Sequence, residues 1–291
     1  MNLHCLFFWS FILSFFGCSG QKIPKGFAYD LSNASEKHKL KKELKEISGL
    51  AFLSKNKLYC LQDEKGIVYS YDMEKNEIEE KMKFGKDGDF EGIALAGPYL
   101  YALRSDGTLY RISNFTKSDK IRVEKIDTFL DESYDTEGLC YDEKNNQLLI
   151  ACKNSPPKHK GEKHIYRFDM ENQNLIEKPH LVIALDEVYQ MKETGSIQKN
   201  YDKAKGGRKT VFNPSGISVH PLTQEVYILS SEGNTLLVLA PSGKIIHAIH
   251  LKKSLFPQPE GIAFDSNGTM YIANEGHGEK ATIKTFKYHS N

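Results

Sequence analysis

The sequence predicts an all-β protein, and more narrowly a five-bladed β-propeller of four-stranded blades. The first observation is a motif in which two polar residues, with one residue between them, precede a glycine and a branched apolar residue. Its five copies occupy residues 46–50, 89–93, 135–139, 213–217 and 258–262. Their glycines are separated by 43, 46, 78 and 45 residues, and a period in the forties is typical of one propeller blade per repeat. The second observation is that a complete repeat divides into four short apolar runs separated by polar turns, as one blade requires.

The N-terminal segment predicts export to the cell envelope. Residues 5–16 are almost wholly apolar, which is too short for a membrane span and suits the apolar region of a signal peptide over residues 1–17. Cys18 follows Gly17 in a loose lipobox, and we expect Cys18 to carry the lipid of a membrane-anchored lipoprotein. The segment before the apolar run lacks Lys and Arg, and an ordinary signal peptide with an incidental cysteine is the alternative.

Residues 18–40 are predicted to contain a tether and the strand that closes the ring. The fifth repeat ends after three strands, so a strand from the N-terminus is expected to complete the last blade and remove its open edge. The apolar patch at residues 26–31 is the expected strand. The propeller then extends over residues 41–291.

The long interval between the third and fourth glycines leaves a six-bladed alternative open. Blade three, however, already occupies the chain to about residue 185. The remainder, at about residues 186–212, is charged and does not alternate, so it predicts an inserted loop with one helical turn.

Composition excludes some functions and a disulfide framework. The 39 basic and 38 acidic residues give a net charge of +1, without the basic excess that a nucleic-acid-binding protein usually shows. After Cys18, three cysteines remain in the predicted mature chain, Cys60, Cys140 and Cys152. An odd number disfavours a disulfide framework, and buried free thiols are expected.

Polar residues of all five repeats are predicted to meet at one mouth of the central channel. Blade strands are antiparallel, so the start of the first strand and the end of the second lie at the same face. The carboxylates expected closest to the axis are Glu46, Glu91, Glu137 and Glu260. The residues expected to complete the binding face are Asp63, Asp89, Arg104, Asp135, Asn154, Ser215, Ser231 and Asn274.

This ring of carboxylates predicts a calcium site. Like charges held close together are costly unless they are protonated or neutralised by a cation. Oxygen ligands suit Ca²⁺, whereas zinc and copper would need more imidazoles or thiols at the mouth. An alternative is that each acidic residue only fastens neighbouring blades through backbone amides. Ser48 and Ser215 occupy the position before the glycine in two copies, so fastening alone does not explain the glutamates.

Three motifs resemble those of the SdiA-regulated domain family. They are Glu46-Ile47-Ser48-Gly49-Leu50, Gly88-Asp89-Phe90-Glu91-Gly92-Ile93 and Leu103-Arg104-Ser105-Asp106-Gly107. The resemblance covers about residues 44–288. It implies a five-bladed propeller related to NHL-repeat proteins and a bound calcium ion, and it implies no particular activity.

Two functions are compatible with these expectations. The first is a non-enzymatic binding module of the cell envelope whose channel mouth meets a small ligand or a protein partner, with membrane attachment through the lipid alone. The second is a calcium-dependent hydrolase of the gluconolactonase or paraoxonase type, in which His277 would act as the base near the metal. No G-x-S-x-G, H-E-x-x-H or phosphate-binding glycine loop occurs in the sequence.

Overall fold

Antiparallel sheets follow one another along the chain in the computed structural model. The structure describes residues 24, 26–115, 120–194, 212–276 and 278–290. Within these ranges there are five sheets arranged as the blades of a propeller. The predicted fold class and the count of five blades are therefore confirmed.

The first, second and fourth blades are consecutive four-stranded meanders. Blade one contains β2 (Ile47–Ser54), β3 (Lys57–Gln62), β4 (Ile67–Asp72) and β5 (Glu77–Lys83). Blade two contains β6 (Phe90–Ala96), β7 (Tyr99–Arg104), β8 (Leu109–Ser113) and β9 (Arg122–Ile126). Blade four contains β15 (Gly216–Val219), β16 (Val226–Ser230), β17 (Thr235–Leu239) and β18 (Ile245–His250).

Blade three has a divided outer edge. Its first three strands are β10 (Thr136–Asp142), β11 (Gln147–Cys152) and β12 (Glu162–Asp169). Two short strands, β13 (Asn174–Leu175) and β14 (Leu181–Ala184), both pair with β12. The helix α1 (Leu185–Thr194) follows at once, so the predicted insertion begins with ten helical residues rather than one turn. Val188 of this helix is fully buried with Phe212, against residues of blades three and four. The rest of the insertion, residues 195–211, lies outside the described residues.

An N-terminal strand closes the last blade, as predicted, but its position differs from the prediction. Blade five contains β19 (Pro259–Phe264), β20 (Met270–Asn274) and β21 (Thr282–Phe286). The strand β1 (Glu36–Lys39) pairs with β21 and completes it.

The apolar patch at residues 26–31 forms no strand and instead packs into the core. Phe27, Tyr29 and Leu31 are buried in one cluster with residues of blades four and five. The Tyr29 hydroxyl donates a hydrogen bond to the Gly268 carbonyl at 2.6 Å. The expectation for this patch was wrong because it rested on apolar character, whereas the charged, mostly exposed segment 36–39 suits an edge strand better.

The repeated glycines allow neighbouring blades to approach each other at the axis. Each glycine lies against the first strand of the next blade: Gly49 on Ile93, Gly92 on Leu139, Gly138 on Ile217, Gly216 on Glu260 and Gly261 on Leu50. The last pair joins blade five to blade one and completes the circle. A Cβ atom would overlap the neighbouring blade at Gly92 and Gly216 and would be in tight contact with it at the other three positions, so the motif favours glycine.

The core is distributed between the blades. Five clusters of buried apolar residues each combine side chains from two adjacent blades. Burying one large apolar side chain contributes about 1.5–3 kcal/mol, so these contacts hold the ring together. Cys60, Cys140 and Cys152 are free and buried within them. Among the helices of the described residues, none combines the length and apolar character that crossing a membrane requires.

Candidate functional site

A polar cavity of about 680 Å³ opens at the face where the first strands begin and the second strands end. Its lining includes seven carboxyl groups, those of Glu46, Asp63, Glu91, Glu137, Glu232, Glu260 and Glu275. Two ammonium groups, those of Lys153 and Lys253, accompany them. The predicted channel mouth therefore exists, and its lining is strongly acidic.

A break in strand register occurs at the motif position that carries the acidic side chain. The pairing of β6 with β7 shifts between Phe90 and Gly92, and that of β10 with β11 shifts between Thr136 and Gly138. Blade five has its shift between Pro259 and Ile262. Such bulges leave a residue out of the ladder and redirect its side chain. They account for the glutamates lining the channel mouth.

The three glutamates Glu91, Glu137 and Glu260 influence one another electrostatically. Burial, then the charges of Glu137 and Asp89, raise the pKa of Glu91 far above its usual range. Burial also raises the pKa of Glu137, but its ion pair with Lys153 opposes the rise. Burial and the charge of Glu137 raise the pKa of Glu260 to about 8. The site therefore opposes full ionisation of these carboxyl groups in the absence of a cation.

Asp63 and Glu46 form a second acidic group at the same cavity. Burial, then the charges of Glu46 and Glu275, raise the pKa of Asp63 to about 6. The Oδ1 atom of Asp63 is buried and has no hydrogen-bond partner among the described residues. Glu46 is the more exposed of the predicted ligands, and its carboxylate pairs with Lys45 at 3.2 Å. In blade one Ser48, and not Glu46, occupies the motif position that Glu91 has in blade two.

The two serines of the motif fasten neighbouring blades. The Ser48 hydroxyl donates to the Phe90 carbonyl at 2.7 Å, and the Ser215 hydroxyl donates to the Pro259 carbonyl at 2.8 Å. Each bond joins one blade to the first strand of the next. At this motif position a serine hydroxyl therefore joins neighbouring blades, whereas the three glutamates contribute negative charge to the cavity.

Other predicted residues lie beside the mouth rather than in it. Asp89, Arg104 and Asp135 line a neighbouring cavity of about 530 Å³. Arg104 pairs there with Asp106, and this ion pair lowers the pKa of Asp106 to about 2. Because the guanidinium group of Arg104 already neutralises Asp106, this second cavity is the weaker candidate for a metal site.

The remaining predicted residues have separate positions. Ser231 lines the mouth cavity with Ser215. Asn154 lies outside both linings, and its backbone N–H bonds to the Tyr134 carbonyl at 2.9 Å. Asn274 is fully buried, and neither polar atom of its side chain has a hydrogen-bond partner among the described residues. His277 and Cys18 lie outside the described residues.

The lining of the mouth fits a hard divalent cation. Among the described lining residues the candidate donors are carboxylate, amide and hydroxyl oxygens, without histidine or cysteine. Ca²⁺ accepts six to eight such oxygens in flexible geometry. The residues that could contribute ligands are Glu91, Glu137, Glu260 and Asp63, since their carboxyl groups line the same cavity and Asp63 has a buried, unpartnered oxygen.

Lys153 and Gln258 also belong to the site, although neither was among the predicted ligands or binding residues. The ammonium group of Lys153 donates to Glu137 at 2.7 Å and lies 3.7 Å from Asp135. Gln258 donates to the Glu275 carboxylate. Both residues occupy positions that the repeat could have shown, because Lys153 follows the second strand of blade three and Gln258 opens the fifth motif.

Comparisons with known proteins agree with this architecture. The sequence model of the SdiA-regulated family matches residues 27–277. A comparison with curated protein sequences finds no match. The crystal structure of glutaminyl cyclase from Myxococcus xanthus is similar, with a TM-score of 0.57, 14% identity, and coverage of 89% of this chain and 97% of that chain. At this identity the similarity concerns the fold alone.

Two further crystal structures are more distant. A protein of unknown function from Bacteroides thetaiotaomicron has a TM-score of 0.49 at 15% identity, with coverage of 83% of this chain and 54% of that chain. Virginiamycin B lyase from Staphylococcus aureus has a TM-score of 0.45 at 12% identity, with coverage of 87% of this chain and 73% of that chain.

Proposed function

The chain belongs to the SdiA-regulated family, and from this premise we propose that it is a non-catalytic binding module of the cell envelope. In this proposal a calcium ion occupies the acidic channel mouth. That face then meets a small ligand or a protein partner. The rest of the propeller is a rigid frame that positions the acidic residues.

The observation that carries the proposal is the charge imbalance of the mouth. Seven carboxyl groups and two ammonium groups line one cavity, and burial together with neighbouring carboxylates raises the pKa of three of the carboxyl groups. Two unit charges about 4 Å apart repel by about 4 kcal/mol at the effective dielectric of a protein surface. A divalent cation removes this repulsion, and oxygen donors of this kind favour calcium over zinc.

The decisive experiment measures metal content and metal-dependent stability together. Purified full-length protein should contain about one calcium ion per chain, and a chelator should lower its melting temperature. Adding calcium should restore that temperature, and magnesium should do so less, because it demands a smaller octahedral shell. A metal-free protein whose melting temperature ignores both chelator and calcium would refute the proposal.

Membrane anchoring is the second part of the proposal. The apolar segment at residues 5–16, with Cys18 after it, supports a lipid anchor and attachment at the periplasmic side or the cell surface. Replacing Cys18 by Ser should move the protein from the membrane fraction to a soluble or mis-sorted form. Wild-type protein found only in a soluble fraction would exclude the anchor.

A hydrolase of the alternative type would use His277 as the base at the metal, and His277 lies outside the described residues. We propose the binding module because the acidic lining supports cation binding without requiring a catalytic step. A screen of lactones and arylesters, with and without chelator, tests this choice. Calcium-dependent turnover that is lost in His277→Ala would favour the hydrolase instead.

A further inference from the structure

Two histidines and a glutamate converge on the rim of blade three, apart from the acidic mouth. His159 ends a short 3-10 turn (Pro157–His159) in the connection before β12, and Glu162 and His164 lie at the start of β12. The Nδ1 atom of His159 is 3.2 Å from Glu162 Oε2, and His164 Nε2 is 2.9 Å from the same oxygen. One nitrogen of each histidine and a carboxylate oxygen all lie within 4.8 Å of one another.

These separations match the edges of a zinc coordination tetrahedron. Zinc binds imidazole nitrogen at about 2.0–2.1 Å and carboxylate oxygen at about 2.0–2.2 Å, so two ligand atoms around one ion are about 3.3 Å apart. The two separations that involve Glu162 are close to this value. The third pair needs a modest approach, which the His159 ring can make because its side chain is 40% exposed on a short turn.

The local structure holds the other two ligands in place. Glu162 and His164 are two residues apart on a strand and therefore project to the same side. The His164 side chain is 2% exposed, and its Nδ1 atom lies 3.2 Å from the Tyr166 hydroxyl. The Ser155 hydroxyl donates to the Glu162 carbonyl at 2.5 Å, which ties the connection back onto the strand. A partner on the second imidazole nitrogen is the usual support of a metal-binding histidine, since it fixes the ring orientation.

We propose that His159, Glu162 and His164 form a zinc site with three protein ligands and a fourth position open to water or to a donor from another molecule. Two imidazoles with one carboxylate suit zinc, whereas the oxygen donors of the mouth suit calcium. The residue between two of the ligands projects the other way, since the Lys163 ammonium group donates to the Lys153 carbonyl. In this proposal the chain has separate positions for a borderline and a hard cation, because none of the three ligands lines the acidic mouth.

The test is a calorimetric titration of the full chain with zinc at neutral pH and saturating calcium, repeated with Co²⁺ as a spectroscopic probe. We expect one zinc ion per chain and the visible absorption of tetrahedral Co²⁺. His159→Ala and Glu162→Gln should each weaken binding by about 100-fold or more, and Tyr166→Phe by about 10-fold, the range of lost outer-shell partners. His38→Ala is the matched control, because His38 pairs with Glu36 at the same 3.2 Å.

Two results would overturn the proposal. One is the absence of zinc binding at micromolar concentrations in wild-type protein, which would leave an ordinary His–Glu ion-pair cluster. The other is zinc binding of unchanged affinity in both His159→Ala and Glu162→Gln, which would place the ion elsewhere. Glu91→Gln should leave zinc affinity unchanged, so failure of the calcium proposal and failure of this one are distinguishable.

Discussion

The Lys153 ammonium group donates to the Glu137 carboxylate at 2.7 Å, inside a cavity that contains seven carboxyl groups. Burial opposes the charge on Lys153, but Glu137 and Asp135 outweigh it and raise the pKa of this lysine. The chain therefore supplies part of its own countercharge at the mouth. A bound cation would have to neutralise only the remaining acidic groups.

Replacing Lys153 by Gln should make the protein more dependent on calcium. Without calcium, the free energy of unfolding should fall by about 1–3 kcal/mol, because Glu137 loses its partner in a partly buried site. With calcium, the loss should shrink, since the ion replaces the missing charge. Urea denaturation with and without chelator measures both values. Lys253→Gln, at an exposed position of the same cavity, should change neither.

A methyl group at Gly216 should destabilise the junction between blades four and five. A Cβ atom there would overlap the Glu260 carbonyl oxygen, so the first strands would have to separate. We expect Gly216→Ala to lower the free energy of unfolding by about 2–4 kcal/mol. Gly85→Ala is the control, because its nearest contact would be an ordinary 3.8 Å. Equal stability of the two variants in thermal unfolding would contradict this account of the motif.

The repeat predicted the ring well because its period and its glycine have one physical cause. Each glycine permits the approach of the next blade, as Gly92 does at Leu139, and a requirement repeated in every blade is visible in a single sequence. The position of the channel mouth was predicted from the direction of the strands alone. The presence of Glu91, Glu137 and Glu260 in its lining was predicted from the repeat, since the motif places all three at the same position of a first strand.

Features that depend on non-repeated contacts could not be predicted in this way. The partnership of Lys153 with Glu137 crosses two strands and depends on side-chain direction. The closing strand has little apolar signal, since three of its four residues are exposed. The His159, Glu162 and His164 cluster does have a sequence signal, two histidines around a glutamate within six residues. The repeat does not predict it, because His159 lies in a connection that has no counterpart in the other blades and only Glu162 and His164 lie on β12.

The N-terminal patch should contribute to stability through packing, not through strand pairing. Tyr29 is 1% exposed and contacts the aromatic rings of Tyr227 and Phe264. Tyr29→Ala should therefore lower the free energy of unfolding by about 3–5 kcal/mol. Tyr29→Phe, which removes only the hydrogen bond to Gly268, should lower it by about 1 kcal/mol. Thermal unfolding that leaves Tyr29→Ala unchanged would show that the patch is only a tether.

The buried His220 should make the protein less stable in mild acid. It is fully buried, its Nδ1 atom accepts the backbone N–H groups of Leu222 and Thr223, and burial lowers its pKa to about 4. Between about pH 6.5 and pH 4 the unfolded chain binds a proton that the folded chain does not. Stability from this group is thus complete above pH 6.5 and decreases by about 3 kcal/mol as the pH falls to 4.

His220→Asn tests this effect because it keeps an acceptor that does not titrate. The carboxyl groups of the mouth have raised pKa values and act in the opposite direction, so the difference between wild type and variant at each pH isolates the histidine. That difference should change by about 3 kcal/mol across the window, measured by urea denaturation in saturating calcium. A constant difference between pH 6.5 and pH 4 would mean that His220 titrates normally in the folded protein.

Glu91→Gln should show whether this glutamate binds a cation or joins neighbouring blades. The two functions predict different signs for the change in the free energy of unfolding in the absence of calcium. In chelator at pH 8, the folded wild type must either ionise a repelled carboxyl group or hold a proton there, because burial and Glu137 raise the pKa of Glu91. The neutral amide avoids that cost and keeps the volume, so the variant should be about 1 kcal/mol more stable than wild type. In calcium the order of stability should reverse, because wild type gains about 2.7 kcal/mol at a calcium concentration of a hundred times Kd and the variant gains less.

Glu143→Gln is the control, because Glu143 lines the cavity at the opposite end of the channel, and its stability should follow that of wild type in both conditions. Loss of stability in Glu91→Gln that is the same with and without calcium would show that this glutamate fastens blades, as Ser48 and Ser215 do.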